Sequence, residues 1–224
     1  NCLADTDGDG VCDELEVDGC DDINACNYDA TATENDGSCD YCSCDEAGSD
    51  GYGLEVEVVA EHTEGELAGM TTYRYYVTTP HNDDFLSAVY GDEDNPLNVG
   101  SSTSFYQNMF GTHLGSDLFP DIFPVFPELE YDSWVTIGID NAPQGSEVAI
   151  GTVESEGQPW IGAFNSTSDI SGQDILIDHL SVFGGAWYVT NGSANGLPDE
   201  DNQRVLFMQL TTSGSISGTV NAQI

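Results

Sequence analysis

Leu54-Glu55-Val56-Glu57-Val58 alternates apolar and acidic residues without a break. Side chains of a β-strand point to opposite faces with a period of two, so this stretch predicts a half-buried strand. The same kind of signal recurs downstream. Met70 to Thr79 is rich in Thr, Tyr and Val, and apolar runs follow at Phe85 to Tyr90, Trp134 to Ile139, Val148 to Val153, Ile175 to Val182, Val205 to Thr211 and Ile216 to Ile224. Clusters of Gly, Asn, Asp and Pro separate them. Many short strands with hardly a helical stretch predict a mainly β fold, an antiparallel β-sandwich of jelly-roll type, over residues 53–224. Two segments fit less simply. Ser104–Gly111 reads as helix or strand. Leu118 to Pro127 carries three prolines and three phenylalanines, which excludes a central strand and leaves a loop packed on the sandwich or an exposed apolar surface.

Upstream of the strands the composition changes. Residues 47–52 are a short Gly- and Asp-containing linker, and residues 1–46 form a Cys-rich segment with few large apolar side chains. All seven cysteines lie there: Cys2, Cys12, Cys20, Cys26, Cys39, Cys42 and Cys44. No Lys, Arg or His pairs the acidic residues of this segment, and it is too poor in apolar material for an ordinary core. Disulfides and bound Ca2+ are the remaining means of holding it. Asp5-Thr6-Asp7-Gly8-Asp9-Gly10-Val11-Cys12-Asp13-Glu14-Leu15-Glu16 satisfies the full calcium-loop spacing. Asp5, Asp7 and Asp9 supply side-chain oxygens and Val11 its backbone carbonyl. Asp13 reaches the ion directly or through water, and Glu16 closes the shell with two oxygens. Zinc on Cys39, Cys42 and Cys44 is the competing account, with no histidine nearby to favour it. Seven thiols leave one over after three bridges, to pair with another chain or with another part of a longer precursor.

The calcium loop lacks flanking helices, since only four residues precede it and Val17-Asp18-Gly19-Cys20 follows. It resembles the calcium repeats of thrombospondin type 3 and related secreted modules, which implies a structural ion rather than a switch. Gly19-Cys20-Asp21, Ala25-Cys26-Asn27-Tyr28-Asp29 and Asp36-Gly37-Ser38-Cys39-Asp40-Tyr41 resemble a short Cys-rich repeat of secreted surface proteins from marine bacteria and some protists. Asp29, Asn35 and Asp36 could hold a further ion or serve only as turn residues. Asp84-Phe85-Leu86-Ser87-Ala88-Val89-Tyr90-Gly91-Asp92, Ser104-Phe105-Tyr106-Gln107, Tyr131-Asp132-Ser133-Trp134 through Asp140, and Asn191 through Gly196 are similar to segments of cell-surface proteins of aquatic microbes. The resemblance implies an extracellular role and no particular activity.

Forty-one acidic residues stand against two arginines and no lysine, a net charge of −39 on 224 residues. Such a field repels nucleic acid and anionic membranes. Self-repulsion falls when salt shortens the Debye length to about 4 Å, which points to a saline medium. No apolar run is long enough to span a membrane as a helix. A chain beginning at Asn1 is expected to be processed or cut from a larger protein. Asn165-Ser166-Thr167 and Asn191-Gly192-Ser193 are glycosylation sequons.

No catalytic constellation stands out. His62, His81, His113 and His179 are scattered, no nucleophile elbow is present, and carboxylates are too numerous to select a pair. Gly184-Gly185 reads as a turn. Trp134, Trp160 and Trp187 are core residues or a sugar-stacking platform. The runs Asp92 to Asn95 and Asp199 to Asn202 are solvated turns or calcium loops. The expectation is therefore a non-enzymatic, calcium-stabilised extracellular protein, secreted or on a cell surface, serving as a subunit of a filament, hair-like appendage or layer. Self-assembly into a homo-polymer is expected, with the strand Ser215 to Ile224 pairing in a neighbour's sheet or within its own domain. The alternative is a carbohydrate-binding adhesion module.

Overall fold

The computed structural model describes residues 17–20, 31–35, 51–155, 159–178, 184–199 and 201–224. The chain divides into two compact units, Asn1–Gly53 and Leu54–Ile224. In the first, β1 (Asp18–Gly19) pairs in parallel with β2 (Glu34–Asn35), and Thr33 Oγ1 accepts the Val17 N–H at 2.9 Å.

From β3 onward the fold is mainly β, with eleven strands among the described residues in three antiparallel sheets, a sandwich-like arrangement. The first sheet has the order β3-β4-β11-β7: Gly53–Glu61, Thr71–Thr78, Arg204–Thr212 and Trp134–Val135. The second has the order β13-β5-β10-β8: Asn221–Gln223, Ala88–Gly91, Gly185–Tyr188 and Gly151–Val153. The third joins β12 (Ile216–Thr219), β6 (Leu97–Ser101) and β9 (Ile175–Ile177) in that order.

One core lies under all three sheets. Tyr75 and Val77 of β4 and Val205, Phe207, Met208 and Leu210 of β11 face Val89, Leu97, Val99, Ile175, Ile177 and Trp187 from the other sheets. A register shift between Leu206 and Met208 lets Phe207 and Met208, neighbours in sequence, both enter this core. An extra residue changes the parity of the strand, and a β-bulge is the device that allows it. The opposite face of the first sheet is covered too. Tyr76, Leu206 and Trp134 pack there against Leu118, Leu129 and the partly buried Phe123.

The Pro- and Phe-rich segment thus does both things expected of it. Its 3-10 turns at Pro120–Ile122 and Pro127–Tyr131 press Phe123 and Leu129 onto the sheet, while Phe119 and Val125 stay exposed. Ser104–Gly111 does not form a helix. Phe105 makes an antiparallel bridge to Thr212, and Gly111 N–H closes a turn on the Asn108 carbonyl at 3.0 Å.

Several strand assignments need correction. The run Trp134 to Ile139 is a strand only at Trp134–Val135, because Thr136 Oγ1 turns back to the Ile139 carbonyl. Gly185 opens β10 rather than sitting in a turn, and β6 was not expected at all. The C-terminal run is two strands in two sheets: β12 pairs β6 and β13 pairs β5. Of the two pairings open to it, the tail adopts the one within its own domain.

Candidate functional site

The two arginines occupy one face of the first sheet. Arg74 shares the outward parity of Thr72 and Tyr76 on β4, and Arg204 opens β11. The antiparallel register sets Arg74 opposite Gln209 and Arg204 opposite Thr78. Arg74 donates from Nε to Gln209 Oε1 at 2.9 Å and pairs through Nη2 with Asp140 Oδ2 at 2.9 Å. Arg204 lies over the Tyr76 ring, binds Glu57 Oε2 at 2.8 Å and pairs with Glu55. The Tyr76 hydroxyl is pushed above its usual range by burial and by its contact with Glu57. Both arginines line a cleft of 330 Å³ with Asp140, Glu147, Asn195 and Asp199. Their forks already face carboxylates, so the cleft is not an open seat for an anion.

Below this cleft a polar network fastens the Pro127–Tyr131 turn to the sheet. Thr211 Oγ1 donates to the Tyr131 carbonyl at 2.6 Å and contacts Thr72 Oγ1 at 2.7 Å. Thr72 in turn meets His62 Nε2 at 2.9 Å. With the Thr211 proton committed, Thr72 donates to Thr211 and His62 donates from Nε2. Burial lowers the His62 pKa and so favours the neutral ring, which in this order carries its proton on Nε2. Gln209 Nε2 reaches the carbonyls of Glu130 at 3.0 Å and Asp132 at 2.8 Å. The Asp132 carboxyl is fully buried. Burial raises its pKa to about 8, against the opposing backbone N–H bonds of Asn108 and Ser133.

A groove of 690 Å³ opens on the other face of the first sheet, at its β3 end. Leu54 and Val56 of β3, Tyr73 and Tyr75 of β4, and Phe207 and Met208 of β11 form one wall, while Ile216, Gly218 and Val220 belong to the other. Among the described residues no charged one lines it. Leu54, Val56 and Val58 are 58%, 47% and 54% exposed, so β3 is not the half-buried strand its alternation predicts. Its apolar face looks into an open groove because the third sheet ends at β12.

The residues expected to bind calcium, Asp5, Asp7, Asp9, Val11, Asp13 and Glu16, lie outside the described residues, as do Cys2, Cys12, Cys26, Cys39, Cys42, Cys44 and His179. Cys20 is buried and disulfide-bonded. Among the described residues no group of three or more His, Cys, Asp or Glu side chains gathers in a metal-ligating arrangement. Asp92 Oδ1 accepts the N–H groups of Asp94 and Asn95, and Asp199 Oδ1 those of Asp201 and Asn202, so each carboxylate closes its own turn. Asn165 is exposed, with the Thr167 hydroxyl donating to its Oδ1 at 2.8 Å. Asn191 is exposed, but Ser193 of its sequon is buried.

The sugar-stacking platform is ruled out for the three tryptophans. Trp134, Trp160 and Trp187 are 1%, 1% and 0% exposed, and Trp160 and Trp187 touch each other at 5.3 Å between centroids within the core. Sequence reasoning also missed the arginine cleft. The available signal was that the only two cations stand in two strongly β-forming runs. No family model, curated protein or solved structure matches the chain.

Proposed function

We propose that this chain is a non-enzymatic structural unit of an extracellular assembly, a filament, hair-like appendage or layer, with an amino-terminal module held by calcium and disulfides. The observation that carries the reading is the groove beside β3, which no charged residue lines among the described residues. In a chain with 41 acidic residues, such an open apolar surface is a place for protein contact rather than for chemistry on a polar substrate. The deep polar groups support the same view. Asp132, His62, Thr72 and Thr211 serve to fasten a turn onto a sheet and do not converge on a substrate-sized cleft.

Calcium acts in this reading by satisfying the oxygens of Asp5 to Glu16, and a saline medium screens the remaining charge. Electron microscopy of natively isolated material tests the proposal. Ordered polymer containing this chain is expected. Native material that is wholly monomeric would refute it.

A further inference from the structure

We infer that Asn191 is a site of spontaneous covalent modification. Its side chain closes on the backbone nitrogen of Gly192 to a cyclic imide, which water opens to aspartate and isoaspartate. The chain's other Asn-Gly pair, Asn195-Gly196, is kept inert by the fold. This inference does not depend on the structural-assembly reading.

The two Asn-Gly pairs stand four residues apart in Asn191-Gly192-Ser193-Ala194-Asn195-Gly196, and local sequence gives both the same chemistry. Glycine has no Cβ to shield its backbone nitrogen from the preceding side chain. That nitrogen, having lost its proton, attacks Cγ of the asparagine. The N–Cγ bond forms and the Cγ–Nδ2 bond breaks. Nδ2 leaves as ammonia, carrying away the proton that the glycine nitrogen gave up. One water then opens the ring. Addition at Cγ gives aspartate, and addition at the main-chain carbonyl gives isoaspartate, whose backbone runs through Cβ and Cγ. Water is the sole co-reactant, and nothing is oxidised or reduced.

Tertiary structure separates the pairs. Asn191 and Gly192 are both exposed, in a turn that the Ser193 N–H closes on the Thr190 carbonyl at 3.2 Å. Neither the Asn191 side chain nor the Gly192 N–H makes a hydrogen bond among the described residues. Gly192 has φ at +87°, and nothing lies within 4 Å of where its Cβ would stand. The amide can therefore turn onto the nitrogen, and water can reach the ring. Asn195 is 4% exposed. Its Oδ1 accepts the Val148 N–H at 3.1 Å, and its Nδ2 donates to the carbonyls of Ile137 at 3.0 Å and Val148 at 3.3 Å. Gly196 is buried, with the Phe85 ring where a Cβ would stand. Turning the Asn195 amide toward the Gly196 nitrogen breaks all three bonds, so this pair reacts only when the region opens.

Either product replaces a neutral amide by a carboxylate. Isoaspartate also adds a main-chain carbon inside the turn that Ser193 closes. Asn191 heads a glycosylation sequon, and a glycan would occupy the same Nδ2, so the test uses chain from a host that adds no N-glycans.

The full chain is incubated at mildly alkaline pH in heavy-oxygen water, once folded in salt with calcium and once in urea. Chymotryptic cleavage after Tyr188 and Leu197 yields one peptide holding both pairs, and fragmentation in the mass spectrometer assigns the label to each asparagine. In the folded chain Asn191 should convert at least about tenfold faster than Asn195, with isoaspartate among its labelled products. In urea the two rates should converge. Folded chain in which Asn191 is unreactive or no faster than Asn195 would overturn the inference. So would products lacking isoaspartate, or a preference for Asn191 that persists unchanged in urea.

Discussion

The guanidinium carbon of Arg204 sits 3.8 Å from the centroid of the Tyr76 ring while its two nitrogens reach Glu55 and Glu57 on β3. One side chain at the start of β11 thus ties the edge strand to the sheet across β4. Arg204 itself is mostly buried, but the two carboxylates are nearly half exposed, so solvent screening limits the ion pairs and the ring contact carries more of the effect. Arg204→Ala is expected to cost about 1–3 kcal/mol, read as a lower urea midpoint. Exchange of the Leu54–Val59 amides should accelerate more than that of β11. Arg204→Lys should recover only part of the loss, because an ammonium cannot bridge two carboxylates with a planar fork.

Asp132 gives a pH prediction. Its Oδ1 accepts the Asn108 N–H at 2.7 Å, and its Oδ2 has no hydrogen-bond partner among the described residues. A carboxyl with a raised pKa binds its proton more tightly in the folded chain than in the unfolded one. Its contribution to stability is therefore complete below about pH 4 and is lost as pH rises toward 8. The loss across that window is at most on the order of 5 kcal/mol. Asp132→Asn keeps the Oδ1 acceptor and cannot ionise. Chemical denaturation at a series of pH values should show the variant more stable than wild type near pH 8 and the two converging near pH 4. Parallel profiles would count against a buried proton on Asp132. Gly111→Ala should be strongly destabilising at every pH, since a Cβ there would overlap Oδ2.

Asn195 acts as a buried latch between loops. Its Oδ1 accepts the Val148 N–H at 3.1 Å and its Nδ2 donates to the Ile137 carbonyl at 3.0 Å. Asn195→Ala leaves the carbonyl of buried Ile137 and the N–H of half-buried Val148 without this partner and should cost about 1–3 kcal/mol in thermal or denaturant melts. Gly138 meets the same residue, with φ at +72° and the Asn195 carbonyl where a Cβ would stand. Gly138→Ala is expected to be at least as damaging, through backbone strain and overlap together.

Trp187 is fully buried against Trp160, so Trp187→Ala should lower stability by about 3–5 kcal/mol through cavity formation. The readout is a calorimetric melt. A variant that melts like wild type would contradict the core placement.

Chelation addresses the amino-terminal unit separately. With EGTA, cleavage sites within residues 1–50 should become protease-sensitive, while the melting of Leu54–Ile224 stays within about 2 °C of its value with calcium. Equal proteolysis with and without EGTA would argue against calcium on Asp5 to Glu16.

The sequence alone determined the fold class of residues 53–224, because period-two alternation and clustered turn residues are local signals that survive without knowledge of neighbours. It also determined the charge field and the confinement of all cysteines to the first 44 residues. Tertiary structure decided which faces were covered. Leu54, Val56 and Val58 carry the same alternation as any half-buried strand, yet they are exposed because the sheet opposite stops at β12, a fact set some 160 residues away. The bulge that brings Phe207 and Met208 into one core, the division of the tail between β6 and β5, and the convergence of Arg74 and Arg204 on one cleft arise from strand pairing at long range. Local propensity cannot encode such pairings, since each depends on what another distant segment buries or leaves open.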